Sequence, residues 1–158
     1  MHQILNHSPK NYDFSIDWKQ VCIFCKKLPL TQKKLLMPKV LVVDDDTDLL
    51  DMVSLVLNTY NMHVDPLDQC LQFQSKISEN KPDIVLMDVY LGDCDGRKLC
   101  HDFKKTGAYA DIPVILYSAG NVTEASINES LADEFMSKPF DIQRLVSRIN
   151  HYVGSKDQ

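Results

Sequence analysis

The chain has 158 residues and a mass of 18.1 kDa, room for one domain of common size plus a short extension and none for a two-domain enzyme. Its 44% hydrophobic and 25% charged content excludes wholesale disorder, collagen-like repeats and fibrous coiled coil. The net charge of -5 is unevenly placed, with six Lys against two Asp in residues 1–38 and 11 basic against 20 acidic residues in 39–158, and an acidic domain without a Lys/Arg stripe is poorly made to hold nucleic-acid phosphates.

Residues 1–38 read as an N-terminal tail. Trp18, Val21, Cys22 and Cys25 fall at helical spacing, so the tail is either a disordered arm or a short amphipathic helix, and Met37-Pro38-Lys39 is an alternative start of translation. The lone Cys22-x-x-Cys25 pair does not complete four zinc ligands. The five cysteines, Cys22, Cys25, Cys70, Cys94 and Cys100, are odd in number and follow no apolar leader segment, so they read as reduced cytosolic thiols. Cys94 lies in a loop where oxidation could tune its surroundings, but an incidental thiol is the simpler reading. The scattered His residues read as surface. The Asn6, Asn121 and Asn128 sequons read as accidental in a protein that is not secreted.

From Lys39 onward short apolar runs alternate with amphipathic segments, the pattern of a parallel sheet with helices on both faces. The first strand spans Lys39 to Val43. A helix from about Thr47 to Tyr60 follows, with Leu49, Val53, Val56, Leu57 and Tyr60 on one face. A weak second strand lies at Met62 to Val64, and a helix from about Asp68, as N-cap, to Ser78 is closed by Asn80 and Pro82. Ile84 to Met87 is the third strand. The loop from Asp88 to Gly96 leads to a helix over Arg97 to Lys105, and Pro113 to Tyr117 forms a fourth strand whose continuous apolar character means burial on both faces. A short polar helix at Glu124 to Leu131 precedes a fifth strand at Phe135 to Ser137. Asp141 caps a last helix carrying Ile142, Leu145, Val146 and Ile149. The longest apolar runs, such as Val40 to Val43 and Ile84 to Met87, fall far short of the roughly 18 residues of a membrane span.

In open parallel sheets the ligand site lies at the carboxyl ends of the strands. The first strand ends in Asp44-Asp45-Asp46, the third in Asp88, the fourth in Ser118 and the fifth in Lys138. Three or more carboxylates, one hydroxyl and one ammonium are thus expected to meet in one cleft. Two carboxylates ~4 Å apart repel by about 4 kcal/mol at an effective dielectric of 20, so a divalent cation is implied. All-oxygen ligands without His or Cys select a hard metal, and Mg²⁺ fits better than Zn²⁺. With Mg²⁺, Lys138 and a hydroxyl to hold anionic oxygens, the Asp88 carboxylate is placed to attack phosphorus. An acidic run such as Asp44 to Asp48 is by itself often only a solvated helix start; its company at matching strand ends makes it a site.

The runs VLVVDDD, LMDVYLGDCDG, VILYSAG and FMSKPF, in order and spacing, resemble the receiver domain of two-component response regulators over residues 39 to about 153. The resemblance implies a doubly wound five-stranded parallel sheet, flavodoxin-like in its order 2-1-3-4-5, with helices on both faces. It implies that Asp88 is the phosphoacceptor and that Asp45, Asp88 and the main-chain carbonyl of Tyr90 ligate Mg²⁺, with Asp44 assisting through water. It further implies that Ser118 binds a phosphoryl oxygen, that Lys138 pairs with the phosphate, and that Phe135 acts with Ser118 as a switch. A cis Lys138–Pro139 bond is implied, aiming the lysine into the cleft. Implied partners are a sensor histidine kinase or phosphotransfer His domain and a downstream protein target, with a weak homodimer on phosphorylation, no direct nucleic acid and no membrane. The place implied is the cytoplasm, and the role is that of a phosphoacceptor rather than an enzyme.

The loop after Asp88 lacks the proline that many relatives carry near Gly92, so it is expected to be more mobile. Tyr90 and Gly120 stand where the family tunes acyl-phosphate hydrolysis, and a bulky Tyr90 ring is expected to hinder attacking water. The main rival is a haloacid-dehalogenase-like phosphatase, which Asp44-x-Asp46 superficially fits; that family needs a further acidic metal motif well downstream of its lysine, and only 20 residues follow Lys138. A pseudo-receiver that only binds partners is the second rival, but no key residue is missing. Asp141 to Val153 is expected to be the last helix of the receiver itself, leaving residues 154–158 as a tail and no effector domain.

Overall fold

The computed structural model describes residues 37–92, 94–105 and 107–154. The expectations for the segment before Met37, the Trp18 to Cys25 helix and the Cys22/Cys25 pair among them, lie outside the described residues.

The alternation expected from sequence is realised in full. Strands β1 (Lys39–Val43), β2 (His63–Leu67), β3 (Ile84–Asp88), β6 (Val114–Ser118) and β7 (Glu134–Ser137) form one parallel sheet in the order β2-β1-β3-β6-β7. Between them lie α1 (Thr47–Thr59), α2 (Phe73–Asn80), α3 (Gly96–Lys105) and α4 (Glu124–Ser130), and α5 (Ile142–Gly154) follows. A two-stranded hairpin, β4 (Tyr90–Leu91) with β5 (Cys94–Asp95), interrupts the connection from β3 to α3.

Because side chains alternate across a strand, each central strand supplies both cores. Val40, Val42, Ile84, Leu86, Ile115 and Tyr117 face α1 and α5, where Leu50, Val53, Leu57, Leu145 and Ile149 are buried. Leu41, Val43, Val85, Met87, Val114 and Leu116 face the opposite layer, built from Phe73, Ile77, Cys100 and Phe103. Burial on both faces is why β3 and β6 are apolar throughout rather than alternating.

Local differences from the expected elements have physical causes. The buried seam of α1 is Leu50, Val53 and Leu57, with Leu49 and Val56 half-buried beside it and Tyr60 exposed. Strand β2 runs on through Pro66, which is tolerated because β2 is an edge strand. The second helix does not start at Asp68: a 3₁₀ turn at Cys70–Gln72 comes first, and α2 begins at Phe73. That turn swings Phe73 onto Phe103 in an edge-to-face contact with ring centroids 5.2 Å apart. Asp141 caps α5 as expected, its Oδ1 accepting from the Arg144 amide at 2.9 Å.

The sheet order also fixes where a cleft must open. Helix α1 leaves β1 on one face and α3 leaves β3 on the other, so the connections diverge between two neighbouring strands and leave a crevice at their carboxyl ends.

Candidate functional site at the carboxyl ends of the strands

Asp44 and Asp88, which end or follow adjacent strands, are almost wholly buried, at 0% and 7% exposure. Lys138, the residue after β7, reaches both: its Nζ donates to Asp88 Oδ2 at 2.6 Å and to Asp44 Oδ2 at 2.9 Å, across 50 and 94 residues of sequence. The remaining oxygens are also held. Asp44 Oδ1 accepts from the Asp46 amide at 2.9 Å, and Asp88 Oδ1 from the Tyr90 amide at 3.0 Å. The Lys138 backbone is anchored by donation from its amide to the Ser118 carbonyl at 2.7 Å, and the Lys138–Pro139 bond is cis.

Burial alone would pull the Lys138 pKa down, but the hydrogen bonds to Asp88 and Asp44, and then their charges, outweigh it and hold the ammonium above its ordinary value. Its Nζ also stands 4.7 Å from the centroid of the Tyr117 ring. Burial, reinforced by the charge of Asp44, pushes the Tyr117 hydroxyl well above its ordinary pKa, so it stays neutral. Tyr117 was not singled out from sequence, because an aromatic on a buried strand reads as core; only the sheet places it beneath the ammonium.

Ser118 is fully buried, and its Oγ accepts from the Gly120 amide at 3.1 Å. In register, Leu116 stands beside Phe135 and Ser118 beside Ser137. Leu116 and the half-buried Phe135 both pack on the α2/α3 side of the sheet, and Ser118, two residues beyond Leu116, falls on that side as well.

Lys138 does not reach Asp45. Asp45 is exposed, and among the described residues no hydrogen bond or ion pair reaches its carboxylate, which lies against Gly92. A Cβ on Gly92 would come within 3.1 Å of Asp45 Oδ2. Asp45, Tyr90, Leu91, Gly92, Cys94 and Asp95 line an open cleft of about 450 Å³. No group of three or more His, Cys, Asp or Glu side chains among the described residues is gathered tightly enough to hold a metal by itself. Of the three expected carboxylates, two share Lys138, and the third, Asp45, is not bridged by it. The single ammonium offsets one of the pair's two negative charges, so the need for a further cation is reduced but not removed. What favours a hard cation is the donor set at the cleft, all oxygen, with an unengaged Asp45 carboxylate beside a glycine that leaves it room.

Asp46 is occupied elsewhere: its Oδ1 caps α1 by accepting from the amides of Asp48 and Leu49, each at 3.1 Å. The Asp44-x-Asp46 pair on which the phosphatase reading leaned is thus one lysine partner and one helix cap.

Two features carried no readable signal. Gly96 is required by close approach: a Cβ there would clash with the Asp88 carbonyl oxygen, and the Gly96 amide donates to Val89 O at 2.9 Å, closing the loop. The second is a disulfide between Cys70 and Cys94, with Cα atoms 6.4 Å apart. It corrects the reading of all five cysteines as reduced thiols; of the cysteines within the described residues, only Cys100 is free, and it is buried. The pair escaped sequence analysis because cysteines 24 apart have no helical or hairpin relation, and only the packing of the 3₁₀ turn against the hairpin brings them together.

Residues 40–150 match the family model for the response regulator receiver domain. The chain belongs to that family. Among curated relatives, this receiver chain is 37% identical over 116 residues to the transcriptional regulatory protein KdpE of Staphylococcus aureus, covering 70% of this chain and 48% of the relative. It is 28% identical over 124 residues to the DNA-binding dual master transcriptional regulator RpaA of Synechocystis, covering 77% and 52%. The chain therefore spans about half the length of these relatives. Among solved structures it resembles the receiver domain of the Francisella response regulator 1452, with a TM-score of 0.68 and 27% identity over 75% of this chain and 98% of that one. The beryllofluoride-activated NtrC4 receiver domain dimer gives a TM-score of 0.66 and 28% identity over 74% and 97%. The family is one of two-component signalling domains, and the phosphatase fold is set aside. No helix among the described residues is long and apolar enough to cross a membrane.

Proposed function

We propose that residues 39–153 act as a phosphoacceptor receiver, taking a phosphoryl group onto Asp88 from a sensor histidine kinase or a phosphotransfer His domain. The observation that carries this reading is the Lys138 ammonium bound at once to Asp88 and Asp44. The ammonium beside the Asp88 carboxylate is positioned to follow charge onto the incoming phosphoryl oxygens. An Asp88 oxygen forms the new O–P bond as the P–N bond to the donor histidine breaks, and the electron pair of that bond leaves with the imidazole. Ser118 binds one phosphoryl oxygen and Lys138 another. Asp45, Asp88 and the Tyr90 carbonyl would hold Mg²⁺, with Asp44 assisting through water, and the bound ion would supply the charge neutralisation that lets an anion approach these acids.

Modification redistributes the charge between Lys138 and Ser118. Because Ser118 and Phe135 lie toward the same side of the sheet, the change is passed to the face formed by α4 and β7, which meets a downstream protein. Output is by protein contact, with a weak homodimer on phosphorylation, in the cytoplasm, without direct nucleic-acid or membrane binding and without turnover of a separate substrate.

Incubating the full chain with acetyl phosphate and Mg²⁺ is expected to add one phosphoryl group by intact mass, and Asp88→Asn or EDTA to abolish the gain. A gain that survives in Asp88→Asn overturns the acceptor assignment, and multiple turnover of a phosphate ester overturns the non-enzymatic role.

A further inference from the structure

We propose that Cys70 and Cys94 form a reversible dithiol–disulfide pair whose oxidation state sets the order of the loop beside the acceptor aspartate, and through it the readiness of that site; the second half rests on the phosphoacceptor reading above. Cys70 opens the 3₁₀ turn ahead of α2, and Cys94 lies on β5, paired in register with Leu91 of β4. Their Cα separation of 6.4 Å falls within the span a disulfide bridges. Both residues are half-buried, and Cys94 lines the open cleft with Asp45, Tyr90 and Gly92.

Cys100 shows the contrast within the same layer. It is fully buried, and burial pushes its thiol up to about 12, the condition of an inert structural cysteine. The pair instead sits where a small oxidant can enter from the cleft. It also sits where a bond has a local consequence: the hairpin tethered by Cys94 starts at Tyr90, whose amide donates to Asp88 Oδ1 at 3.0 Å. With the bond closed, the hairpin is fixed at both ends, by Asp88 on one side and by the turn before α2 on the other. With the bond open, it keeps the short β4–β5 pairing, the Tyr90 and Gly96 amides and the Asp95–Arg97 fork but loses its tether to the turn before α2.

The oxidant is a hydroperoxide. The Cys94 sulfur attacks one peroxide oxygen, the O–O bond breaks, and water leaves as Cys94 becomes the sulfenic acid. The Cys70 sulfur then attacks the Cys94 sulfur, the S–O bond breaks, and the departing hydroxide takes the Cys70 proton. Two thiols and one hydrogen peroxide thus give one disulfide and two waters. A small thiol such as glutathione reverses the change by exchange.

The full chain is treated with hydrogen peroxide or dithiothreitol and read three ways: by peptide mapping, by hydrogen exchange over residues 89–95, and by phosphoryl gain from acetyl phosphate at limiting Mg²⁺. Expected are a Cys70–Cys94 linked peptide only after oxidation, exchange about tenfold faster in the reduced form, and phosphoryl gain about threefold faster in the oxidised form, whose loop is already ordered. Cys70→Ser and Cys94→Ser are each expected to abolish the response to peroxide. Absence of the linked peptide, or equal exchange in the two forms, overturns the pair as a switch; a redox-dependent exchange with equal phosphoryl gain overturns its control of the site. Redox-dependent exchange with no phosphoryl gain in either form supports the pair and instead overturns the phosphoacceptor reading.

Discussion

At the carboxyl ends of the strands Asp44 and Asp88 form a buried wall that shares the Lys138 ammonium, whereas Asp45 and Tyr90, which line the open cleft, form an exposed one, with the Asp45 carboxylate free of hydrogen bonds among the described residues. The first wall is assembled from strand ends, whose positions are fixed by the ladders and by two apolar layers. The second is Asp45, in the connection from β1 to α1, together with the loop and short hairpin after β3, which Gly96, the Cys70–Cys94 bond and the Asp95–Arg97 fork fix. The difference teaches where order and access each come from: buried charge must be prepaired, because an unpaired ion there costs several kcal/mol, whereas the groups that meet an incoming ion or donor have to stay open to water.

Breaking the junction between the walls is expected to have the largest effect. Gly96→Ala forces a Cβ against the Asp88 carbonyl and is expected to lower stability by about 3 kcal/mol, seen as a fall in the urea midpoint. Gly154→Ala, where a Cβ meets open space, serves as the control with little change. Equal midpoints for the two variants refute the claim that Gly96 sets the loop.

Lys138→Met tests the buried wall alone. It leaves Asp44 and Asp88 without their shared cation and is expected to cost about 2 kcal/mol at neutral pH, with phosphoryl gain from acetyl phosphate slowed about a hundredfold. Wild-type rates in this variant would mean that the ammonium is only structural.

The open wall is probed by Tyr90→Asn. The Tyr90 ring is 53% exposed, lies under the Arg97 guanidinium at 5.8 Å and crowds Gly120, where a Cβ would fall 2.8 Å from Cε2. Replacing it is expected to shorten the phosphorylated lifetime about threefold by admitting water, with stability little changed; equal or slower decay overturns the shielding role.

The smallest effect belongs to the fork that braces the hairpin. The Arg97 side chain, against the opposing pull of burial, holds the Asp95 carboxyl below its ordinary 3.8. A carboxyl whose folded value is depressed adds stability above its unfolded value and loses it as pH falls through the folded one. Arg97→Met is therefore expected to cost at most about 0.5 kcal/mol at pH 7, since the pair is partly exposed, and nothing in acid below the folded value. A cost independent of pH points to lost packing instead.

Much of the first wall was legible before any coordinates. Asp44, Asp88, Ser118 and Lys138 each follow an apolar run, and strand ends in a parallel sheet converge whatever the loops do. The second wall was legible only in part. Asp45 was expected to share the cleft with Asp44 and Asp88; that its side chain would be exposed and lie against Gly92 was not legible. The hairpin after Asp88 read as a featureless loop, because two-residue strands have no period to detect.

By itself the sequence determined the five strands, the burial of β6 on both faces and the residues at the strand ends, because short apolar runs and helical patterning are local and every unit repeats them. Tertiary structure alone decided that Lys138 would bridge Asp44 and Asp88, that Gly96 must lack a side chain, and that Cys70 would meet Cys94. Each of these is a contact whose partners are set by how helices and turns pack on the sheet, and such distances do not follow from spacing along the chain.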